Sequence, residues 1–289
     1  MDVPAEYSGR SGGPFKKVIV GIDQHQGGRD ALVLGRTLVA HGGTVLRACV
    51  SIAEAAFDGE PADDGTGDGR LLRITASNLA RGLHELAIAE RADLLVVGSR
   101  RDARPGRVLI GEDSIDALNG APGAIAIAPL GYAERPAALG EIGVGYNGSL
   151  ESMDAIALAR ALAAEHGARV SAFEALTVSA QRTAAGAAGV DSLNVDIDTA
   201  CRRIAALGDI EPHAAYGPAA VELALYSASV DLMVIGSRGY GPIGRLAHPS
   251  TSRLLARSAC CPLLVLTRSA PSLPPDDRAE LAPLRVQTG

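Results

Sequence analysis

The chain has no tryptophan, 3% aromatic residues, and only two lysines, Lys16 and Lys17, among its 289 residues. So few rings argue against a base-stacking surface for nucleic acid. The formal charge is −6 and the arginines are not clustered, so the basic footprint of a nucleic-acid binder is missing too. No apolar run approaches the roughly 18 residues that a membrane span needs. The opening MDVPAEYSGRSGGP lacks the apolar core of a signal peptide, so a cytoplasmic protein is expected. The four cysteines, Cys49, Cys201, Cys260 and Cys261, show no CxxC spacing, so neither a zinc site nor a disulfide framework is expected. None of the six histidines pairs with a cysteine or an acid at a metal-ligand spacing. No GxSxG is present either, and no catalytic residue is singled out.

What the chain does have is a repeat. DLLVVGSR begins at Asp93 and DLMVIGSR at Asp231. KKVIVGID ends at Asp23, and EIGVGYN ends at Asn147. Each match is a short β-branched run of the sort found in a strand buried on both faces. Such runs alternate with alanine-rich amphipathic stretches. This predicts two tandem copies of one α/β domain, each with a doubly wound parallel sheet. The copies are placed at 15–130 and 138–268, with residues 1–14 and 270–289 read as disordered tails.

In the first copy, strands are expected at 18–22, 44–50, 71–75, 94–97 and 124–128. A single helix from Leu71 to Glu90 is the alternative for the third. Helices are expected at 29–40 and from a cap at Asn78 to Glu90, with a flexible loop at 57–69. In the second copy, strands are expected at 142–146, 169–176, 210–215, 232–235 and 263–266. Its helices should span 152–165, follow Pro218, and include one within the longer insert 178–207. GVGYNG at 143–148 spells a dinucleotide fingerprint, but it starts inside a strand rather than after one.

Ligands of such sheets sit beyond the carboxyl ends of the strands, where the strand order reverses. Asp23, Gly98, Asn147 and Gly236 fall at those ends. After Gly236 come Gly239, Gly241 and Gly244, and then Ser250, Thr251 and Ser252 as helix caps. Strand, glycine loop and capped helix form a layout suited to phosphate.

Taken together, VIVGID, IGVGYNGSLES, the two DL-V-GSR segments, YGPIGRL, GAPGAIAIAP and SACCPLLVL resemble a tandem universal stress protein. The resemblance implies an adenine nucleotide α-hydrolase-like fold with five strands per domain. It implies an internal pseudo-dimer paired through the fifth strands, and leaves further homo-oligomers open. It also implies a pocket for adenine nucleotide, that is ATP with Mg, held by an aspartate after strand one and a loop G-2x-G-9x-G-(S/T). The first copy keeps Asp23, Gly98 and Gly111, but has Arg101 and Glu112 where a glycine and a hydroxyl belong. The second keeps Gly236, Gly239, Ser250 and Thr251, but has Asn147 for the aspartate and Pro249 for the third glycine. Three functions therefore stand side by side: a stress-response binding or regulatory protein, a slow ATPase at the second copy, and a scaffold without nucleotide.

Overall fold

A computed structural model describes residues 13–22, 26–52, 70–100, 102–111, 123–177, 190–236 and 251–267. In the first half, β1 (Lys17–Gly21), β2 (Thr44–Ile52), β3 (Leu71–Ala76), β4 (Leu94–Gly98) and β5 (Ala124–Ala128) alternate with α1 (Gln26–Leu38) and α2 (Leu79–Ala89). In the second half come β6 (Glu141–Tyr146), α3 (Leu150–His166), β7 (Arg169–Leu176), α4 (Val190–Ala205), β8 (Glu211–Tyr216), α5 (Ala219–Tyr226), β9 (Leu232–Gly236), α6 (Thr251–Leu255) and β10 (Leu263–Leu266). Leu71 starts a strand rather than a long helix, and Asn78 caps α2 by accepting from the Arg81 N–H. The expected loop at 57–69 and most of both expected tails lie outside the described residues.

All ten strands form one sheet in the order β3-β2-β1-β4-β5-β10-β9-β6-β7-β8. Neighbours are parallel within each half. At the centre β5 and β10 run antiparallel, with Leu263 opposite Ile127, Leu264 opposite Ala126 and Val265 opposite Ile125. Every residue of β5 is buried, which accounts for the small, unbroken AIAIA run. An edge strand this apolar would invite association if left open, and the central pairing closes both edges.

Each face of the sheet carries its own core. On one face α1 and α3 bury Leu32, Leu34, Leu38, Ile156 and Leu162 against Val18, Val96, Ala126 and Leu264. On the other face Leu83, Leu223 and Leu255 of α2, α5 and α6 meet Ile19, Ile127, Met233 and Val265. Both layers run across the central strands, so the halves share their cores. Gly143 and Gly145 lie inside β6, in line with the reading of GVGYNG as part of a strand. No helix among the described residues is long and apolar enough to cross a membrane.

The repeated aspartate of DL-V-GSR has a structural role. Asp93 Oδ2 accepts from the backbone N–H groups of Lys16 and Lys17, at 2.9 and 2.8 Å. Asp231 Oδ2 accepts from Gly140 and Glu141, both at 2.9 Å. In each half, then, the residue just before strand four holds the start of strand one through a charge-assisted pair of bonds. Asp93→Ala and Asp231→Ala should each cost about 1–3 kcal/mol, from the part-buried Lys17 and Glu141 donors left without this acceptor. The two losses should add, because the sites share no partner. Urea unfolding of the two single variants and the double variant measures this; unchanged midpoints would refute it.

Asp30 makes the corresponding link to the segment that joins the halves. It is fully buried, and its carboxylate accepts from Gly131 at 2.8 Å and from Ala133 at 2.7 Å. Burial raises its pKa, and the two backbone N–H groups pull it back. The connection therefore leaves β5 fastened to α1 before it turns towards β6.

Candidate functional site

The strand order reverses between β1 and β4 in the first half and between β6 and β9 in the second. The two switch points place Gly98 at the end of β4, Asn147 just after β6, and Gly236 at the end of β9. Asp23, Arg101, Glu112, Gly239, Pro249 and Ser250 lie outside the described residues.

In the second half, Asn147 is exposed, and its Oδ1 accepts from the Ser149 N–H at 3.1 Å. Gly148 follows with φ 74°, and Ser149 Oγ accepts from the Ser152 N–H at 3.3 Å, capping α3. Asn147 thus shapes the turn that opens α3, whose first-turn residue Glu151 meets Gly236. A Cβ on Gly236 would lie 2.4 Å from the carbonyl oxygen of Glu151. The glycine is needed because the first turn of α3 presses on the end of β9. Thr251 is the first residue of α6 and is half-buried.

Two side chains that sequence reasoning passed over, Glu174 and Arg203, lie beside Tyr146 at the end of β6. Glu174 stands on β7 beside Tyr146, and its Oε1 accepts from Arg203 of α4 at 2.5 Å. Its Oε2 is buried without a hydrogen bond. Burial raises the pKa of the Tyr146 phenol, with Arg203 opposing. On α4, Asp196 Oδ2 accepts from the Tyr216 hydroxyl at 2.6 Å. The signal was an acid set inside the apolar run SAFEAL of β7. Its basic partner lies on the extra helix α4, which has no described counterpart in the first half.

The first half is built differently. A Cβ on Gly98 would lie 1.9 Å from the Gly27 carbonyl oxygen, and one on Gly27 would lie 2.5 Å from that of Ser99. The helix expected at 29–40 already starts at Gln26, so Gly27 lies inside α1. Gly27 is there for close backbone contact, not for a turn. Ser99 is buried; its hydroxyl donates to Ala128 O at 2.7 Å and accepts from the Leu109 N–H at 3.1 Å.

The described stretch 106–110 of the loop that should face phosphate in this half is engaged with protein. Arg100 N–H bonds Leu109 O, Gly106 N–H bonds Leu130 O, and Arg107 N–H bonds Arg104 O. Val108 N–H reaches Ala259 O at 2.9 Å and Ile110 N–H reaches Ala256 O at 3.1 Å, both in the second half. Arg107 Nη1 donates to Ser258 O at 2.9 Å. Val108 and Ile110 are buried in the core of that face. The five consecutive donors at 106–110 therefore all serve protein acceptors. Gly111 sits at the end of this loop, where a Cβ would lie 3.4 Å from Arg100 Cδ. The structure places Asn147 and Gly236 at one switch point, with Glu174 on the strand next to Tyr146, and places Gly98 and Gly111 at the other.

Residues 139–267 match the model of the universal stress protein family. A solved structure described as a universal stress protein from Pseudomonas aeruginosa UCBPP-PA14 superposes with TM-score 0.63. It is 16% identical, over 92% of this chain and 96% of that one. A universal stress protein from Archaeoglobus fulgidus DSM 4304 superposes with TM-score 0.60 and 15% identity, over 88% of this chain and 98% of that one. At such identities these two show the fold alone. No curated protein matches the sequence.

Proposed function

From a chain whose second half is a universal stress protein domain, and whose first half repeats the same strand order, we propose a cytoplasmic stress-response protein that binds ATP, with Mg, in its second half. The pocket lies at the switch point between β6 and β9. To the phosphate and ribose we assign Asn147, Gly236 and Thr251, and from the sequence motif Gly239 and Ser250. The halves act as two domains, 15–130 and 138–268, joined as an internal pair. The observation that carries the reading is the contrast between the two halves. The first-half loop spends its donors at 106–110 on protein acceptors, and Glu112 follows it in sequence. A carboxylate about 4 Å from a phosphate costs on the order of 1–4 kcal/mol at surface-like dielectrics. The second half keeps two glycines and the hydroxyl of the loop motif, with Pro249 and Ser250 where the first half has Gly111 and Glu112.

Asn147 supplies hydrogen bonds without the charge that an aspartate would bring near phosphate or Mg. Pro249 lacks the N–H of the glycine it replaces. Pro249→Gly should therefore tighten ATP binding by about one bond to a charged group, roughly 1.5–3 kcal/mol before entropy losses. The gain should be absent for adenosine, which has no phosphate. Calorimetric titration of ATP, ADP and adenosine tests both points. No ATP binding by either the native protein or Pro249→Gly would overturn the nucleotide reading and favour the scaffold. Mass spectrometry of small molecules released from purified protein gives an independent test, and phosphate release over hours would identify a slow ATPase.

A further inference from the structure

The outer helices of the two halves carry different surfaces. Leu83 of α2 and Leu223 of α5 hold equivalent places. A Cβ on Gly21 would lie 3.2 Å from Leu83 Cδ1, and one on Gly145 would lie 3.4 Å from Leu223 Cδ1. Gly21 and Gly145 are themselves equivalent, two residues before Asp23 and Asn147. Counted from these leucines, Arg81 corresponds to Val221 and Glu85 to Leu225. In the first half the two positions form an ion pair on the outside of α2, with Arg81 Nε 2.8 Å from Glu85 Oε1. In the second half they are apolar and open to solvent, Val221 52% and Leu225 67% exposed. One turn apart, they make a ridge along one side of α5.

Next to this ridge lies α6. Cys260, just beyond it, donates its N–H to Ser227 Oγ at the end of α5, at 2.8 Å. On α6, Leu255 is buried while Leu254 is exposed. Arg253 and Arg257, also one turn apart, are exposed. Arg107 Nη1 donates to Ser258 O, which brings a third guanidinium to the end of α6. No acidic residue occurs between Asp231 and Asp276. On α5, Glu222 folds back towards the start of its helix, where its Oε1 would lie 2.2 Å from a Cβ on Gly217. A chain of formal charge −6 thus presents an aliphatic ridge with a basic border.

We propose that the α5–α6 face docks an acidic amphipathic helix of a partner protein. The apolar side of that helix covers Val221, Leu225 and Leu254, and its carboxylates meet Arg107, Arg253 and Arg257. An aliphatic ridge with one-turn spacing is the form that packs against a helix. The arginine border sets the sign of the partner's charge. A second copy of this chain would bring the same arginine border rather than an acidic one. A lipid surface is the poorer match, because the outward residues of the ridge include no lysine or aromatic side chain to sit among headgroups. The surface stands independently of the nucleotide reading.

The probe is a labelled synthetic helical peptide with leucines along one side and glutamates flanking them, followed by fluorescence anisotropy. The native protein should bind it, and added salt should weaken the binding. Val221→Arg with Leu225→Glu gives α5 the pair that α2 already carries, so the variant should fold, and it should bind the peptide about tenfold more weakly or worse. Arg253→Glu with Arg257→Glu, at exposed positions, should weaken binding to a similar degree. The same peptide with lysines in place of the glutamates should not bind. A thermal scan of each variant keeps loss of fold apart from loss of docking. No binding by the native protein, equal binding of the two peptides, or unchanged binding in both double variants would overturn the proposal. Three further results would overturn it by giving the face another occupant. Phosphatidylserine vesicles bound by the native protein and not by Val221→Arg with Leu225→Glu would give it to a membrane. A dimer mass by light scattering that falls to monomer in that variant would give it to a second copy. Peptide binding that appears only after removal of residues 270–289 would give it to the chain's own C-terminal segment.

Discussion

Gly98→Ala should leave the chain without a cooperative native state. The added methyl would sit 1.9 Å from the Gly27 carbonyl oxygen and 2.4 Å from its carbonyl carbon. These are backbone atoms, so no side chain can rotate away. Either α1 withdraws from the sheet or β4 gives up its last pairing, Gly98 with Ala128. Ordinary overpacking costs about 1–3 kcal/mol. This contact exceeds that range, and a loss above about 4 kcal/mol is expected, a large part of the stability of most domains. Denaturant unfolding followed by circular dichroism is the measurement; a variant within about 1 kcal/mol of the native protein would show that the helix end moves at little cost. Gly236→Ala is the sister case, with Glu151 O at 2.4 Å. Loss of nucleotide binding in a substitution at Gly236 therefore has to be separated from loss of α3 by a thermal scan of the same sample.

The second large effect is expected at the centre of the sheet. Ala126→Asp would place a carboxylate opposite Leu264, at a position with no exposure and no basic side chain among its apolar neighbours. A buried, unpaired charge is costly, and about 4 kcal/mol or more is expected here. The damage should also change the kind of unfolding. With β5 and β10 parted, each half exposes an apolar strand edge, so the variant should associate with itself. Size-exclusion chromatography with light scattering should find larger species for Ala126→Asp and not for the exposed-site variant Arg107→Ala. A variant that stays unassociated and keeps the native unfolding midpoint would mean that the halves do not depend on this junction.

Much of the architecture was legible because it is local. The period of the apolar residues, the Asn78 cap and the duplicated DL-V-GSR segments each report on a few neighbouring positions. The positions of Gly98, Asn147 and Gly236 at strand ends were legible in the same way. Their causes were not. Gly98 answers to Gly27, and Gly236 to Glu151, across folds of the chain that no spacing rule reveals. The loop RVLI at 107–110 reads as an ordinary apolar stretch, yet Arg107 finds its acceptor 151 residues away. Glu174 looked like an interruption of a strand, and only the fold supplies Arg203. Aspartates 93 and 231 were visible as a repeat, while their shared duty, holding the start of the first strand of each half, needed the backbone in space.

The antiparallel meeting of β5 and β10 also bears on how the two halves have diverged. Because the halves run in opposite directions, β5 ends on the same edge of the sheet on which β6 begins. The joining segment has only to pass sideways over β10 and β9, roughly 14 Å at the usual strand spacing. A short tether therefore suffices, and the two crevices open on opposite edges, out of reach of any one small ligand. In an assembly of two identical chains, every substitution appears in both crevices at once. A covalent pair is free of that symmetry. One side can commit a loop to its neighbour, as 107–110 does with Ala256, Ser258 and Ala259, while the other side carries a different sequence.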